Sequence, residues 1–168
     1  VETLGCTTVI CSDKTGTLTK NEMTVRMLAT IDSEVLITGE GYAPQGELIV
    51  DGQRDGLKDP GLRMAVEIAY HCNHAELFKE NGRWVVQGDP TEAALRVMGR
   101  KAGLTRALPV MREVPFTSER KMMSVVVRSG NGYRLLCKGA LDVLLNHCSQ
   151  IKTARGVEPI GASHRARF

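Results

Sequence analysis

The sequence predicts an α+β fold, an antiparallel sheet flanked by helices, entered from one strand and loop of a separate α/β unit. Three observations carry this. An apolar, β-branched run at 7–11 ends in a polar turn rich in threonine and glycine. Two Asp-Pro steps, at 59–60 and 89–90, each open a stretch of helical spacing. Three strand-like runs between 110 and 138 are joined by short polar turns.

Thr7 to Cys11 (TTVIC) has the composition of a strand buried on both faces, and Asp13 stands where such a strand ends. Between Gly39 and Pro60, glycines and two prolines punctuate the chain, which predicts turns and short edge strands with no deep core. From Asp59 onward, Leu62, Ala65, Val66, Ile68, Ala69 and Cys72 recur at helical spacing behind an Asp cap and a proline in the first turn. "ELFKENGRWVVQ" at 76–87 sets two apolar runs around Asn81-Gly82, the signature of a hairpin. Asp89 as N-cap, Pro90 at N1 and Glu92 at N3 open a second helix through Ala94, Leu95 and Met98 that stops near Gly103. Val110 to Phe116, Met122 to Val127 and Tyr133 to Lys138 read as strands joined by "TSERK" and by a tight "SGNG" turn. A third helix, Leu141 to Cys148, follows Gly139-Ala140, and the chain has no internal repeat or low-complexity tail.

The 168 residues suit one medium domain, or one domain with a piece of another. With 42% hydrophobic and 24% charged residues the composition is that of an ordinary globular chain, and no apolar run approaches the ~20 residues that span a bilayer. A net charge of +3 and 4% aromatics give no basis for nucleic-acid binding, and leave an anionic small ligand open. Five cysteines without CxxC spacing argue against a disulfide scaffold or zinc ribbon and for reduced thiols in a cytosolic setting. "HCNH" at 71–74 lacks a second ligand cluster at metal-site spacing. Val1 opens without a signal pattern and Phe168 closes on "SHRAR", so the sequence reads as part of a longer chain.

The turn after the first run carries the chemistry. A carboxylate just past the carboxyl end of a buried strand lies where α/β sheets bind ligands. Around Asp13, Lys14 offers positive charge, Thr15 and Thr17 offer hydroxyls, and Gly16 lets backbone N–H groups approach a phosphate. A carboxylate there suits a nucleophile or a hard-metal ligand, and its attack on a terminal phosphate would give an aspartyl phosphate. The same residues also make a common polar turn, chosen for local hydrogen bonds.

"DKTGTLT" at 13–19 resembles the phosphorylation motif of P-type ATPases, and Val1 to Val25 is similar to the calcium-pump (P2) branch, bacterial members included. "GDPTEAAL" at 88–95, "PFTSERKMMSVV" at 115–126 and "KGALDVLLNHC" at 138–148 follow in the family's order, and "TGEGYAPQGE" at 38–47 is also similar to bacterial members. The resemblance covers almost the whole chain. It implies that residues 1–25 are the N-terminal part of a haloacid-dehalogenase-like α/β phosphorylation domain, and that residues 26–168 are the nucleotide-binding domain, truncated at its C-terminus.

By this resemblance Asp13 accepts the γ-phosphate of ATP, Mg²⁺ sits on Asp13 and the Thr15 carbonyl, and Lys14 with the Thr15 hydroxyl holds the phosphate. Phe116 stacks on adenine, Glu92 faces its amino group, Lys121 lies near the phosphates, and Lys138 with Gly139 lines the deep end of the pocket. The implied partners are ATP or ADP and the rest of the pump: actuator domain, remaining phosphorylation domain and membrane helices. The implied location is the cytoplasmic side of a membrane, the plasma membrane if the source is bacterial. Calcium is the first implied cargo.

Each residue also has an ordinary reading. Phe116 fits a core strand end, Glu92 fits helix capping, and Lys121 and Lys138 fit solvated surface charge. The chain departs from the family where Ser118 replaces an arginine and where "KGALD" replaces "KGAPE". Two rival classes are a haloacid-dehalogenase-type phosphatase, whose second aspartate would stand at Thr15, and a non-catalytic nucleotide-binding module.

Overall fold

A computed structural model describes residues 8–9, 11–50, 52–54 and 57–167. Instead of one sheet, the described strands form four separate antiparallel sheets. The first is a meander of β1 (Met27–Ala29), β2 (Glu34–Ile37), β3 (Leu48–Val50) and β4 (Gln53–Arg54). The helix α1 (Pro60–His71), the hairpin β5 (Glu76–Glu80) and β6 (Arg83–Gln87), and the helix α2 (Pro90–Lys101) follow. A three-stranded sheet of β7 (Val110–Val114), β8 (Met122–Ser129) and β9 (Gly132–Gly139) leads to α3 (Leu141–His147). The hairpin β10 (Gln150–Thr153) and β11 (Gly156–Pro159) and the short α4 (Ala162–Arg165), none of them foreseen from the sequence, complete the chain.

Both Asp-Pro steps cap helices as expected. Asp59 accepts from the N–H groups of Gly61 (2.6 Å) and Leu62 (3.0 Å) and also from the Ser33 hydroxyl (3.0 Å), which ties the start of α1 to the β1–β2 turn. Asp89 accepts from Thr91 (2.8 Å) and Glu92 (3.2 Å). The second helix ends in a Schellman motif: Gly103, at φ +89°, donates to Arg100, and Leu104 donates to Gly99. Asn81 and Gly82 both adopt positive φ, which the two-residue β5–β6 turn requires.

Two apolar clusters share α1. Leu62, Val66 and Ala69 join Met98 of α2 with Val35, Ile37, Leu48 and Leu57. Cys72, at the C-terminal end of α1, packs instead with Met123, Val125, Val127 and Leu136 of β8 and β9. The expectation of no deep core between Gly39 and Pro60 is therefore corrected: Leu48 and Leu57 are buried members of the first cluster. The glycines there act as close-approach points. A Cβ on Gly39 would fall 2.1 Å from the Gln45 carbonyl oxygen and one on Gly46 would fall 2.2 Å from that of Thr38, so the loop closes tightly enough for β3 to pair with β2.

Of the first predicted strand, Thr7 and Ile10 lie outside the described residues, and Thr8, Val9 and Cys11 are exposed with no strand pairing. A strand buried on both faces needs neighbours, and none of the described strands pairs with it. Among the described residues no helix is long and apolar enough to cross a membrane.

Two stability tests follow. Gly99 of α2 faces Tyr70 of α1 so closely that a Cβ would meet the ring at 2.4 Å. Gly99→Ala gains about 1 kcal/mol of helix propensity, but the overpacking costs about 1–3 kcal/mol. Urea unfolding is expected to give a net loss of stability. Asp59→Ala removes two cap bonds and the Ser33 link, and is expected to cost about 1–2 kcal/mol in the same assay.

Candidate functional site

The residues singled out by sequence fall into two groups. Asp13, Lys14 and Thr15 belong to one turn, on which Asp13 and Lys14 are exposed and in which Lys14–Leu18 forms one turn of π-helix closed by the Thr19 N–H on the Lys14 carbonyl (3.1 Å). Gly16, at φ +75°, donates its N–H to the Thr19 hydroxyl (3.3 Å). A loop was expected here, and glycine is what lets so short a segment coil.

The second group gathers where α2 meets one end of the β7–β8–β9 sheet. Glu92 lies in the first turn of α2 and Lys138 near the end of β9, and the Lys138 ammonium donates to Glu92 Oε1 at 2.6 Å. Glu92 Oε2 accepts the His74 main-chain N–H at 3.0 Å. Helix capping thus does not explain Glu92: its carboxylate turns away from Asp89 toward the sheet. Burial by itself pushes the Glu92 carboxyl up, but the Lys138 ammonium and the His74 N–H and side chain outweigh it and hold the carboxyl below its usual range. The side chains are 16% and 21% exposed, so this ion pair is partly withdrawn from water yet reachable from it.

Register places the other residues at the same sheet end. Val114 pairs with Ser124, Met123 with Lys138 and Met122 with Gly139, so Phe116 and Lys121 leave the sheet beside Lys138. Phe116 is 58% exposed and belongs to neither apolar cluster, which rules out the core reading of this ring. Lys121 has φ +52°, ends a turn through its N–H on the Thr117 carbonyl (2.8 Å), and accepts the Ala140 N–H on its own carbonyl (2.9 Å). Gly139 faces that carbonyl: a Cβ there would fall 2.4 Å from the Lys121 oxygen and 2.5 Å from Met122 Cβ. Gly139 is therefore required by strand contact before any ligand is considered. Arg120 does not stand in for the missing arginine at Ser118, since its guanidinium binds the Val114 and Pro115 carbonyls and the Ser124 hydroxyl.

Sequence reasoning missed the support beneath Glu92. Asn73 donates to the carbonyls of Ala69 (3.1 Å) and Glu92 (2.8 Å) and accepts the Ala75 N–H (2.8 Å). Arg96 of α2 donates to the carbonyls of Ala75 (2.7 Å), Tyr70 (3.0 Å) and Asn73 (3.3 Å), with its guanidinium carbon 4.7 Å from the Tyr70 ring centroid. The "HCNH" stretch reads in the sequence only as a metal motif. In the structure its two histidines part company: His71 Nδ1 accepts the Leu108 N–H (3.2 Å), whereas His74 Nε2 lies 2.7 Å from Glu113 of β7. Burial pushes the Cys72 thiol up to about 11 against the pull of Lys138, so Cys72 is a neutral packing residue at neutral pH.

A separate cleft of about 740 Å³ opens between residues 20–26, the 40–45 loop and the β5–β6 hairpin, with Lys20, Glu22, Arg26, Tyr42, Arg83 and Trp84 among its walls. Part of the 38–47 stretch lines it, but none of the residues proposed to hold nucleotide, phosphate or Mg²⁺ does.

Comparison with known proteins identifies this architecture. A family profile described as "P-type ATPase, cytoplasmic domain N" matches residues 61–168. The chain is 41% identical over 164 residues to "Probable cation-transporting ATPase F" of Mycobacterium tuberculosis, covering 93% of this chain and 18% of that protein. It is 38% identical over 158 residues to "Calcium-transporting ATPase" of Bacillus subtilis (90% and 18%). To "Calcium-transporting ATPase type 2C member 1" of Bos taurus it is 43% identical over 158 residues (89% and 16%). The chain thus spans less than a fifth of the length of these relatives. Small antiparallel sheets flanked by helices, together with a profile match over 61–168, establish that the chain belongs to the P-type ATPase family and contains its cytoplasmic domain N.

Proposed function

We propose that this chain carries the nucleotide-binding lobe and the phosphoryl-acceptor loop of a cation pump. Residues 26–168 are the lobe, and residues 1–25 are the first part of a haloacid-dehalogenase-like phosphorylation domain. The observation that carries the reading is the Glu92–Lys138 pair, held at 2.6 Å at the sheet end from which the exposed Phe116 ring projects. A purine pocket needs a stacking face with a few fixed polar groups around it, and this sheet end supplies both.

In this reading the adenine ring stacks on Phe116 and its amino group donates to Glu92. Lys138 lines the deep end of the pocket beside Gly139, and Lys121 meets the phosphates. Asp13 then attacks the γ-phosphorus of ATP. A bond forms between its carboxylate oxygen and phosphorus, the bond to the β–γ bridging oxygen breaks, and ADP leaves with the electron pair. Lys14 and Thr15 steady the transferred group. Mg²⁺ fits here: it takes hard oxygen donors and is commonly held by one or two carboxylates plus substrate phosphates, and Asp13 is an exposed carboxylate of that kind. Asp13 and the Thr15 carbonyl would hold it, and its role would be to neutralise phosphate charge.

The parent couples this cycle to cation movement across a membrane from its cytoplasmic side, the plasma membrane in a bacterium. Calcium is the first candidate cargo, because relatives bear the name calcium-transporting ATPase. The isolated 168 residues lack the actuator segment, membrane helices and later phosphorylation domain that the full cycle requires. They therefore bind ATP or ADP weakly, with little Mg²⁺ dependence, and turn over negligibly.

Two experiments test this. Base stacking on an aromatic ring is worth about 1–3 kcal/mol, so calorimetric titration of ADP into Phe116→Ala is expected to give binding roughly tenfold weaker than wild type. Equal affinities remove Phe116 from the site. In the full-length parent, Asp13→Asn is expected to abolish the acid-stable phosphoenzyme and leave nucleotide binding intact. A phosphoenzyme that persists refutes Asp13 as acceptor.

A further inference from the structure

We infer that His74 is a positioning residue for Glu92, and that its protonation weakens the preference of this site for purines bearing an exocyclic amino group. The inference rests on the purine reading given above and deepens it.

The geometry is a chain of four ionisable side chains from four elements. His74, on the loop after α1, places Nε2 2.7 Å from Glu113 Oε1 of β7 and Nδ1 3.8 Å from Glu92 Oε2 of α2. Lys138 of β9 closes the other side of Glu92 at 2.6 Å. Arg96 of α2 holds the loop through the Asn73 carbonyl, and Cys72 remains a neutral thiol. The His74 side chain is about half exposed, so its proton exchanges with solvent.

The contact at Glu113 assigns the proton of the neutral ring to Nε2. Nδ1 then carries no proton and makes no hydrogen bond to Glu92 Oε2, 3.8 Å away. A carboxylate has about four lone-pair sites. Lys138 and the His74 main-chain N–H occupy one each, which leaves two for a ligand. When the ring takes a proton, Nδ1 becomes a donor aimed at Glu92 Oε2. Closing the gap from 3.8 Å to hydrogen-bond length needs a shift of about 1 Å, and it occupies a third site. It also draws the carboxylate away from Lys138 and takes the four groups from a net charge of −1 to zero. Imidazole is the side chain that makes this change between pH 5 and 8.

A 6-amino purine donates to Glu92, whereas a 6-oxo purine presents an acceptor to it. Losing acceptor capacity on Glu92 therefore narrows the difference between them. The measurement is the ratio of dissociation constants for inosine diphosphate and adenosine diphosphate, whose identical phosphates cancel, taken by calorimetry from pH 7.5 to 5.5 at fixed ionic strength. In the wild-type chain the ratio is expected to fall on the order of three- to tenfold on acidification, the worth of one charged hydrogen bond partly lost. In His74→Gln, which keeps the main-chain N–H and cannot titrate, the ratio is expected to stay flat. The ¹³C resonance of the Glu92 carboxyl is expected to follow the His74 ring titration in the wild-type chain, which tests the coupling should the variant fail to fold. A flat wild-type ratio, an undiminished fall in His74→Gln, or a Glu92 resonance indifferent to that titration overturns the inference. In those cases ADP binding that is sensitive to Phe116→Ala leaves the purine reading standing. Absence of ADP binding at every pH removes both.

Discussion

The constraint on which this lobe depends is the end of α1. A helix leaves its last carbonyls without partners, and many helices meet that need with glycine and a left-handed turn. Here α1 closes on His71 with no glycine behind it; Asn73 takes the Ala69 carbonyl and Arg96 from α2 takes that of Tyr70, while Arg96 also holds the carbonyls of Asn73 and Ala75 just past the helix end. A planar fork with fixed donor directions suits this role where a lysine would not. Because Arg96 is anchored on α2, the cap also sets how the two helices sit, and the absence of a side chain at Gly99 lets Tyr70 approach α2 closely. The loop so fixed carries Asn73 and His74, and these reach back to the Glu92 carbonyl and carboxylate. One guanidinium thus links the packing of the core to the placement of the acid in the candidate pocket.

Much of this was legible in the sequence. Local signals gave the two capped helices, the Asn81-Gly82 hairpin and the strands after 110, because each depends on neighbours within four residues. Boundaries shifted only slightly, β7 ending at Val114 and not at Phe116. The 39–60 stretch hides its core residues for a different reason. Its glycines look like loop residues until the chain is folded, when Gly39 and Gly46 prove to be where two backbones touch and where Leu48 is carried into the core. Contacts across the chain leave no periodic trace, so the Asp32 carboxylate on the Ala154 N–H and the Arg96 fork could not be read in advance, and the β10–β11 hairpin turns on Ala154-Arg155, which lacks an Asn-Gly signal.

The site divides in the same way. Family-like motifs named Glu92, Lys138 and Gly139, but gave no account of how they meet. Coordinates supply that account for Glu92 and Lys138, and they give Gly139 a packing role that a motif alone cannot separate from a binding role. His74 and Glu113 carried no signal at all. Their meaning comes from a sheet edge and a loop that lie 39 positions apart in the chain and become adjacent only through the register of β7 and β8.

The 740 Å³ cleft has a practical bearing. Its wall includes Trp84, the single tryptophan of the chain, with the Lys79 ammonium 5.3 Å from the ring centroid. Intrinsic emission from this protein is therefore a local gauge of how the β5–β6 arm stands against residues 20–26. That segment leads back to the DKTGT turn, so the indole is placed to report a change in this cleft without any added dye.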